Sequence, residues 1–388
     1  MTMRNISILG STGSIGRNTL DVVRMHPERF RVHALAGGSN IGLLREQAEE
    51  FRPLFVSAGT AESASALKMG LSFPVEVGFG DEGATRAASF DGVDMVVSAI
   101  SGAAGLLPTM AALKAGRDVA LANKEALVLA GGLVMDEARR QKVDIIPVDS
   151  EHSAVFQSLL GHRKEDVKRL ILTASGGPFL TTSIEKLERM SPEEALNHPR
   201  WKMGRKISID SATLFNKGLE VIEARWLFGL PAKQISVVIH PQSIVHSMVE
   251  YVDGSVMAQM STPDMRGAIS YALSYPERVA SGVRPLDFSR LTLEFSDPDP
   301  ARFPCLGLAY RALEMGGTAP AILNAADEVG VGLFLEGRIP FTGIYRVMAE
   351  VLETHGPKKI STIEDVLEAD RTAREAALKA ASAISGRA

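Results

Sequence analysis

Two acidic side chains, Asp149 and Glu151, flank Ser150 directly after the apolar run Val143-Asp144-Ile145-Ile146-Pro147-Val148. If that run continues as an extended segment, side chains two apart point the same way, and both carboxylates converge on one point. Carboxylate oxygens so placed can hold a hard cation. A third comes from Asp210-Ser211-Ala212-Thr213-Leu214-Phe215-Asn216-Lys217-Gly218-Leu219-Glu220. Asp210 or Ser211 can cap a following helix, on which Asn216, Lys217 and Glu220 share a face. A surface Lys217–Glu220 pair is the plain alternative. The chemical alternative is an anion site of Ser211, Asn216 and Lys217 beside a third metal carboxylate, Glu220. Three oxygens with open positions suit Mg²⁺ or Mn²⁺ better than zinc.

Other polar clusters invite the same double reading. Ser175-Gly176-Gly177-Pro178 follows a strand-like run, and a serine with exposed glycine amides suits a phosphate; singly, it is also an ordinary turn. The stretch His198-Pro199-Arg200-Trp201-Lys202-Met203-Gly204 is too irregular for a helix or strand. It reads either as a lid carrying an imidazole and an indole or as a buried loop with a structural Trp201. No second His or Cys stands at metal spacing from His198. His240 and His246 could share a strand face, or be satisfied structural histidines.

A different chemistry opens the chain. Gly10-Ser11-Thr12-Gly13-Ser14-Ile15-Gly16 lies between a first strand and a helix over 15–25. Such glycines permit close backbone approach, and the helix N-terminus attracts phosphate. The spacing is looser than the usual dinucleotide fingerprint, but the strand-turn-helix setting supports one. The second strand ends in Gly37-Gly38-Ser39-Asn40, without the acid that would bind the ribose hydroxyls of NAD, so NADP is favoured. Asn123-Lys124-Glu125 follows the sixth strand, at the carboxyl edge where open parallel sheets place ligands. There Lys124 can hold an anionic oxygen and Glu125 a ribose hydroxyl. Equally, Asn123 can simply cap a helix, with Glu125 near its dipole.

These residues need elements to position them. Strand-like runs at 6–9, 32–36, 54–56, 75–77, 95–99, 119–122 and 145–148 alternate with helical segments such as 40–50 and 106–115. That order predicts an α/β, doubly wound parallel sheet covered on both faces. The middle, to about 280, mixes helices with strands at 170–173, 234–239, 243–251 and 255–260, the last two joined by an Asp253-Gly254 turn. Met257, Met260 and Met265 read as packing residues. A proline-rich arm spans 281–303, and the rest is helical by period, clearest at 321–336, 345–353 and 363–381. The expected division is 1–149, 150–280, 281–303 and 304–388.

A chain of 388 residues, 45% hydrophobic, can bury more than one core. Its net charge of -4 argues against a broad nucleic-acid footprint. The single Cys305 excludes an intramolecular disulfide framework. With no signal-type start and no apolar run of membrane-spanning length, the expectation is a cytoplasmic protein without a membrane partner.

The motifs at 10–16, 122–125, 147–152, 174–179, 198–204, 210–220 and 240–247 together resemble those of the 1-deoxy-D-xylulose 5-phosphate reductoisomerase family, in order along nearly the whole chain. The resemblance implies a Rossmann-like domain, an α+β catalytic domain with a flap near 198–204, and a C-terminal helical bundle. It implies an NADP-dependent oxidoreductase of the non-mevalonate isoprenoid route. Such an enzyme isomerises and reduces its phosphosugar, 1-deoxy-D-xylulose 5-phosphate, to 2-C-methyl-D-erythritol 4-phosphate. The cofactors implied are NADPH and Mg²⁺ or Mn²⁺, with Co²⁺ a further option. A metal bridging two substrate oxygens fits a retro-aldol/aldol rearrangement better than a direct shift. By the same resemblance, Asp149, Glu151 and Glu220 ligate the metal, and Ser175, Ser211, Asn216 and Lys217 hold phosphate. Lys124, Ser150, Glu151 and His198 meet the substrate's oxygenated carbons, Lys124, Glu151 and His198 as the catalytic set. Trp201 and Met203 form the flap. Thr12, Gly13, Ser14, Ile15, Gly38, Ser39, Asn40, Asn123, Glu125 and Gly204 contact NADPH. A homodimer is implied as well. The family often carries lysine where this chain has Ser39, so the coenzyme's 2′-phosphate is held less by charge. Two rivals make different demands. A semialdehyde or acyl-phosphate reductase needs a nucleophilic cysteine. A non-catalytic NADP-sensing regulator needs no three carboxylates.

Overall fold

The structure is a computed structural model describing residues 3–201 and 203–385. Lys202 of the expected flap lies outside the described residues. The chain forms two compact units, one of Met1–Ala126, Val134–Ser153 and Asp264–Pro285, the other of Leu127–Leu133, Ala154–Pro263 and Leu286–Ala388.

The first unit is built on seven parallel strands: β1 (Arg4–Leu9), β2 (Phe30–Ala36), β3 (Phe55–Ala58), β4 (Glu76–Phe79), β5 (Met95–Ser98), β6 (Asp118–Leu121) and β7 (Ile145–Pro147). They lie in the order β4-β3-β2-β1-β5-β6-β7. Ile6, Ile8, Val56, Val96, Val97, Val119 and Leu121 are almost wholly buried, as strands covered on both faces require. The order reverses between β1 and β5, so the crevice at the carboxyl ends of these strands is where an open α/β sheet receives a ligand. All seven expected strands form, and the α/β reading holds.

The second unit holds a mixed sheet of β8 (Val167–Ala174), β9 (Ile235–Ile239), β10 (Val245–Tyr251) and β11 (Val256–Met260), ordered β11-β10-β8-β9. The β10–β11 pair is antiparallel and turns at Asp253-Gly254, as read from the sequence. Leu170, Leu172, Val237 and Val249 pack with Leu214, Val221 and Phe303 in one core. Of the three methionines read as packing, Met257 instead stands exposed on the edge strand β11.

The helices Ala319–Leu335, Phe341–Thr354 and Ile363–Ser385 match the three expected at the C-terminal end. A fourth, Pro304–Met315, begins directly after the proline-rich arm. Proline suits a first helical turn, because the amide it lacks has no intrahelical partner there. Among the described residues, no helix is long and apolar enough to cross a membrane.

Candidate functional site

In the first unit, the glycine-rich loop leaves β1 and enters the helix Ser14–Met25, with Gly13 as its extended cap residue. A Cβ on Gly16 would sit 2.4 Å from the Gly10 carbonyl oxygen, so only glycine lets the helix lie this close to the loop. The cap makes no side-chain hydrogen bond and the first turn carries no acid. Its amides and the positive end of its dipole therefore suit a phosphate. Gly13 and Ser14 are exposed and Thr12 and Ile15 half-buried. After β2, Gly38, Ser39 and Asn40 are exposed, and Asn40 Oδ1 caps the next helix by accepting from the Leu43 amide at 3.1 Å.

Asn123, Lys124 and Glu125 lie at the end of β6 and are all buried. Asn123 donates to Glu125 Oε2 at 2.8 Å and to the Gly102 carbonyl at 3.0 Å, while its Oδ1 accepts from the Ala126 amide at 3.2 Å. The capping reading of Asn123 is thus realised. Lys124 forms an ion pair with Asp149, both side chains being largely shielded from water.

The carboxylates converge by a route other than the one read from the sequence. Asp149 is not followed by an extended segment; a helix, Ser150–Leu159, starts at the next residue. Asp149 accepts from the Ser153 amide through its carbonyl, and Glu151 lies in the first helical turn. The two still offer carboxylate oxygens within 4.8 Å of each other. Ser150 Oγ donates to Glu151 Oε2 at 2.5 Å.

In the second unit, β8 runs into Ser175-Gly176-Gly177. Gly177 has φ +67, and a Cβ there would stand 2.5 Å from the Ser211 carbonyl oxygen, so the loop rests on the Ser211 backbone. Ser175 Oγ lies 3.0 Å from His198 Nε2 and accepts from the Gly177 amide at 3.3 Å. His198 Nδ1 accepts from the amides of Arg200 and Trp201 at 3.1 and 2.9 Å. That fixes the neutral tautomer: Nδ1 is the acceptor and Nε2–H donates to Ser175. Burial of the ring pulls its pKa below the usual histidine value. Trp201 and Met203 are half-buried in an irregular segment, and exposed Gly204 is the extended residue before the helix Arg205–Ala212.

Asp210 and Ser211 do not cap the following helix. They belong to Arg205–Ala212, and the chain breaks at Leu214, whose φ of 59 starts the helix Phe215–Leu227. On that helix Asn216 donates to Glu220 Oε1 at 2.6 Å, and Lys217 bonds the other oxygen. Glu220 and Lys217 are buried, so this is not the solvated surface pair of the plain alternative. Sequence reasoning missed Glu223, fully buried one turn on, and the ion pairs of Lys206 with Asp210 and Asp327. The available signal was the acidic pair Asp327-Glu328 within a largely apolar helix.

Asp149 and Glu151 in the first unit and Glu220 in the second are each oxygen donors, half-buried in the first two cases and fully buried in the third. Asp149 and Glu220 each already hold an ammonium group. Such carboxylates fit a hard divalent cation. His240 is buried and structural: its Nε2 accepts from the Ile244 and Val245 amides, both at 3.1 Å, and the ring stacks on Phe295, while His246, also buried, has Nε2 2.8 Å from Ser261 Oγ. Cys305 is buried, and its thiol is pushed far up by desolvation and the nearby Asp327 and Asp210 charges. It is not a nucleophile.

Comparison with known proteins completes the picture. The family model described as 1-deoxy-D-xylulose 5-phosphate reductoisomerase matches residues 6–131, and C-terminal domain models of the same enzyme match 145–228 and 260–376. The 1-deoxy-D-xylulose 5-phosphate reductoisomerase of Chlorobium phaeobacteroides is 59% identical over 378 residues, 97% of this chain and 98% of its own length. That of Trichlorobacter lovleyi is 57% identical, covering 97% of both. A crystal structure of DOX-P reductoisomerase in complex with NADPH, fosmidomycin and magnesium shares 44% identity at a TM-score of 0.93, over 98% of both chains. The Zymomonas mobilis enzyme in complex with NADPH shares 42% at 0.92, over 98% of this chain and 99% of its own. The chain belongs to the 1-deoxy-D-xylulose 5-phosphate reductoisomerase family.

Proposed function

We propose that this protein converts 1-deoxy-D-xylulose 5-phosphate to 2-C-methyl-D-erythritol 4-phosphate, using NADPH and a divalent cation, in the non-mevalonate isoprenoid route. The observation that carries this reading is the end-to-end family match.

NADPH supplies hydride, and a bound divalent cation supplies positive charge at the substrate's carbonyl and hydroxyl oxygens. The rest is the work of the chain. Thr12, Gly13, Ser14 and Ile15 cradle the coenzyme's phosphates; Gly38, Ser39, Asn40, Asn123, Glu125 and Gly204 complete its contacts. Asp149, Glu151 and Glu220 ligate the cation, which fits their oxygen-only chemistry. Ser175, Ser211, Asn216 and Lys217 hold the substrate phosphate, and that binding orients carbons remote from it. Lys124, Ser150, Glu151 and His198 position the oxygenated carbons. A neutral His198 donates through Nε2 and keeps its far nitrogen tied to the loop. Trp201 and Met203 close over the substrate and exclude water.

The functional division follows the chemistry: 1–149 binds coenzyme, 150–280 carries catalysis with its flap near 198–204, 281–303 connects, and 304–388 supports. The enzyme works as a cytoplasmic homodimer. Exposed Val252, Val256 and Met257 beside an edge strand support that, because an apolar edge invites pairing with a second copy. Buried Cys305 disfavours the cysteine-dependent reductase.

The test mixes purified protein, 1-deoxy-D-xylulose 5-phosphate, Mg²⁺ and NADPH, follows NADPH absorbance and identifies the product. A branched methylerythritol phosphate is expected. No NADPH consumption, or reduction without rearrangement of the carbon chain, overturns the reading.

A further inference from the structure

The helix Arg205–Ala212 joins the flap segment to Ser211, and its own sequence supports it poorly. It is eight residues long, its cap residue Gly204 makes no side-chain hydrogen bond, and its first turn holds a lysine but no acid. Lysine near a helix N-terminus opposes the dipole, and lysine preceding aspartate by four is the weaker orientation of such a pair. Something outside the helix accounts for Lys206.

That partner is Asp327. Lys206 Nζ lies 2.6 Å from Asp210 Oδ2 and 3.0 Å from Asp327 Oδ2, the second contact falling outside hydrogen-bond alignment. Asp327 is 0% exposed and Asp210 2%. Asp327 sits on the helix Ala319–Leu335, whose next residue, Glu328, is pinned by Arg374 of the helix Ile363–Ser385. A firm base in the C-terminal helices thus reaches the first turn of Arg205–Ala212. From there the helix runs to Ser211, and the two-residue turn Thr213-Leu214 leads to Asn216 and Lys217 on the next helix.

We propose that Asp327, acting through Lys206, is a positioning residue that holds Ser211, Asn216 and Lys217 in register for the substrate phosphate. This rests on the phosphate role assigned above to those three residues. Two buried carboxylates face one ammonium, and burial and the charge of Asp210 raise the Asp327 pKa well above the carboxylate range. The contact with Lys206 is therefore made in a shielded place, where an amide of the same shape as Asp327 can also fit.

The experiment compares Asp327→Ala, Asp327→Asn and Ser211→Ala in the full-length enzyme by substrate KM, kcat, NADPH affinity and thermal midpoint. Asp327→Ala raises KM about tenfold, with kcat within about twofold and NADPH affinity unchanged. Asp327→Asn restores KM. An unchanged KM in Asp327→Ala, while Ser211→Ala raises it, overturns the positioning role. If neither raises KM, the phosphate assignment itself is wrong and the proposal falls with it. If Asp327→Asn is as impaired as Asp327→Ala, positioning by the shape and contact of this side chain is overturned. Should Asp327→Ala fail to fold, Lys206→Gln decides by the same KM reading.

Discussion

His198 Nε2 stands 3.0 Å from Ser175 Oγ, joining the segment after β8 to the segment that precedes the helix Arg205–Ala212. The opposite ring nitrogen holds two backbone amides, so a second proton on the ring would cost both bonds. Burial also lowers its pKa from about 6.5. The stability this provides is fully present above the unfolded value and is lost as pH falls through the lower folded one. An NMR titration should find His198 protonating below the ordinary histidine range; a normal or raised value would refute the neutral assignment. His198→Asn, able to keep the amide contacts but not the bond to Ser175, should lose about 10- to 100-fold in kcat/KM.

Gly177→Ala combines two penalties. Its φ of +67 is unfavourable to a side chain, and the added carbon meets the Ser211 carbonyl at 2.5 Å. We expect a loss of about 1–3 kcal/mol in denaturant unfolding and a raised substrate KM. Equal KM in mutant and parent would show that the loop can move without disturbing the phosphate residues.

Glu151→Gln keeps the size of the side chain and removes its charge. NADPH binding should survive, while turnover falls by about 100-fold or more, roughly 2.7 kcal/mol in the barrier, and more cation is needed for half-maximal rate. Turnover equal to the parent at every Mg²⁺ concentration would remove Glu151 from the metal site.

Ser39→Asp places an acid at the end of β2, where it can accept from the ribose hydroxyls of NADH and repel a 2′-phosphate. The ratio of kcat/KM for NADPH over NADH should fall by about tenfold or more. If the ratio holds, the 2′-phosphate is read elsewhere.

What the sequence revealed was the periodic part. Buried parallel strands such as Ile6–Leu9 print continuous apolar runs, and turns such as Asp253-Gly254 carry their own chemistry. Local alternation misplaced Asp149 and Glu151, because nothing in the string says that a helix starts at Ser150. Capping rules assigned Asp210 and Ser211 to the wrong helix, since the break at Leu214 depends on a left-handed residue that is not a glycine. Pro304 punctuates equally well as a stop or a start. The contact of Lys206 with Asp327 is purely tertiary and has no local signature. The polar residues proposed for the site stood out in the sequence by their clustering in short motifs; their hydrogen-bond and ion-pair partners did not.

Lys124 on Asp149 and Lys217 on Glu220 have a further consequence. Each carboxylate has its counter-charge built into the chain, so folding does not wait for a metal. If each carboxylate takes the proposed cation, one positive charge would replace another on it. Chelation should silence such an enzyme without melting it.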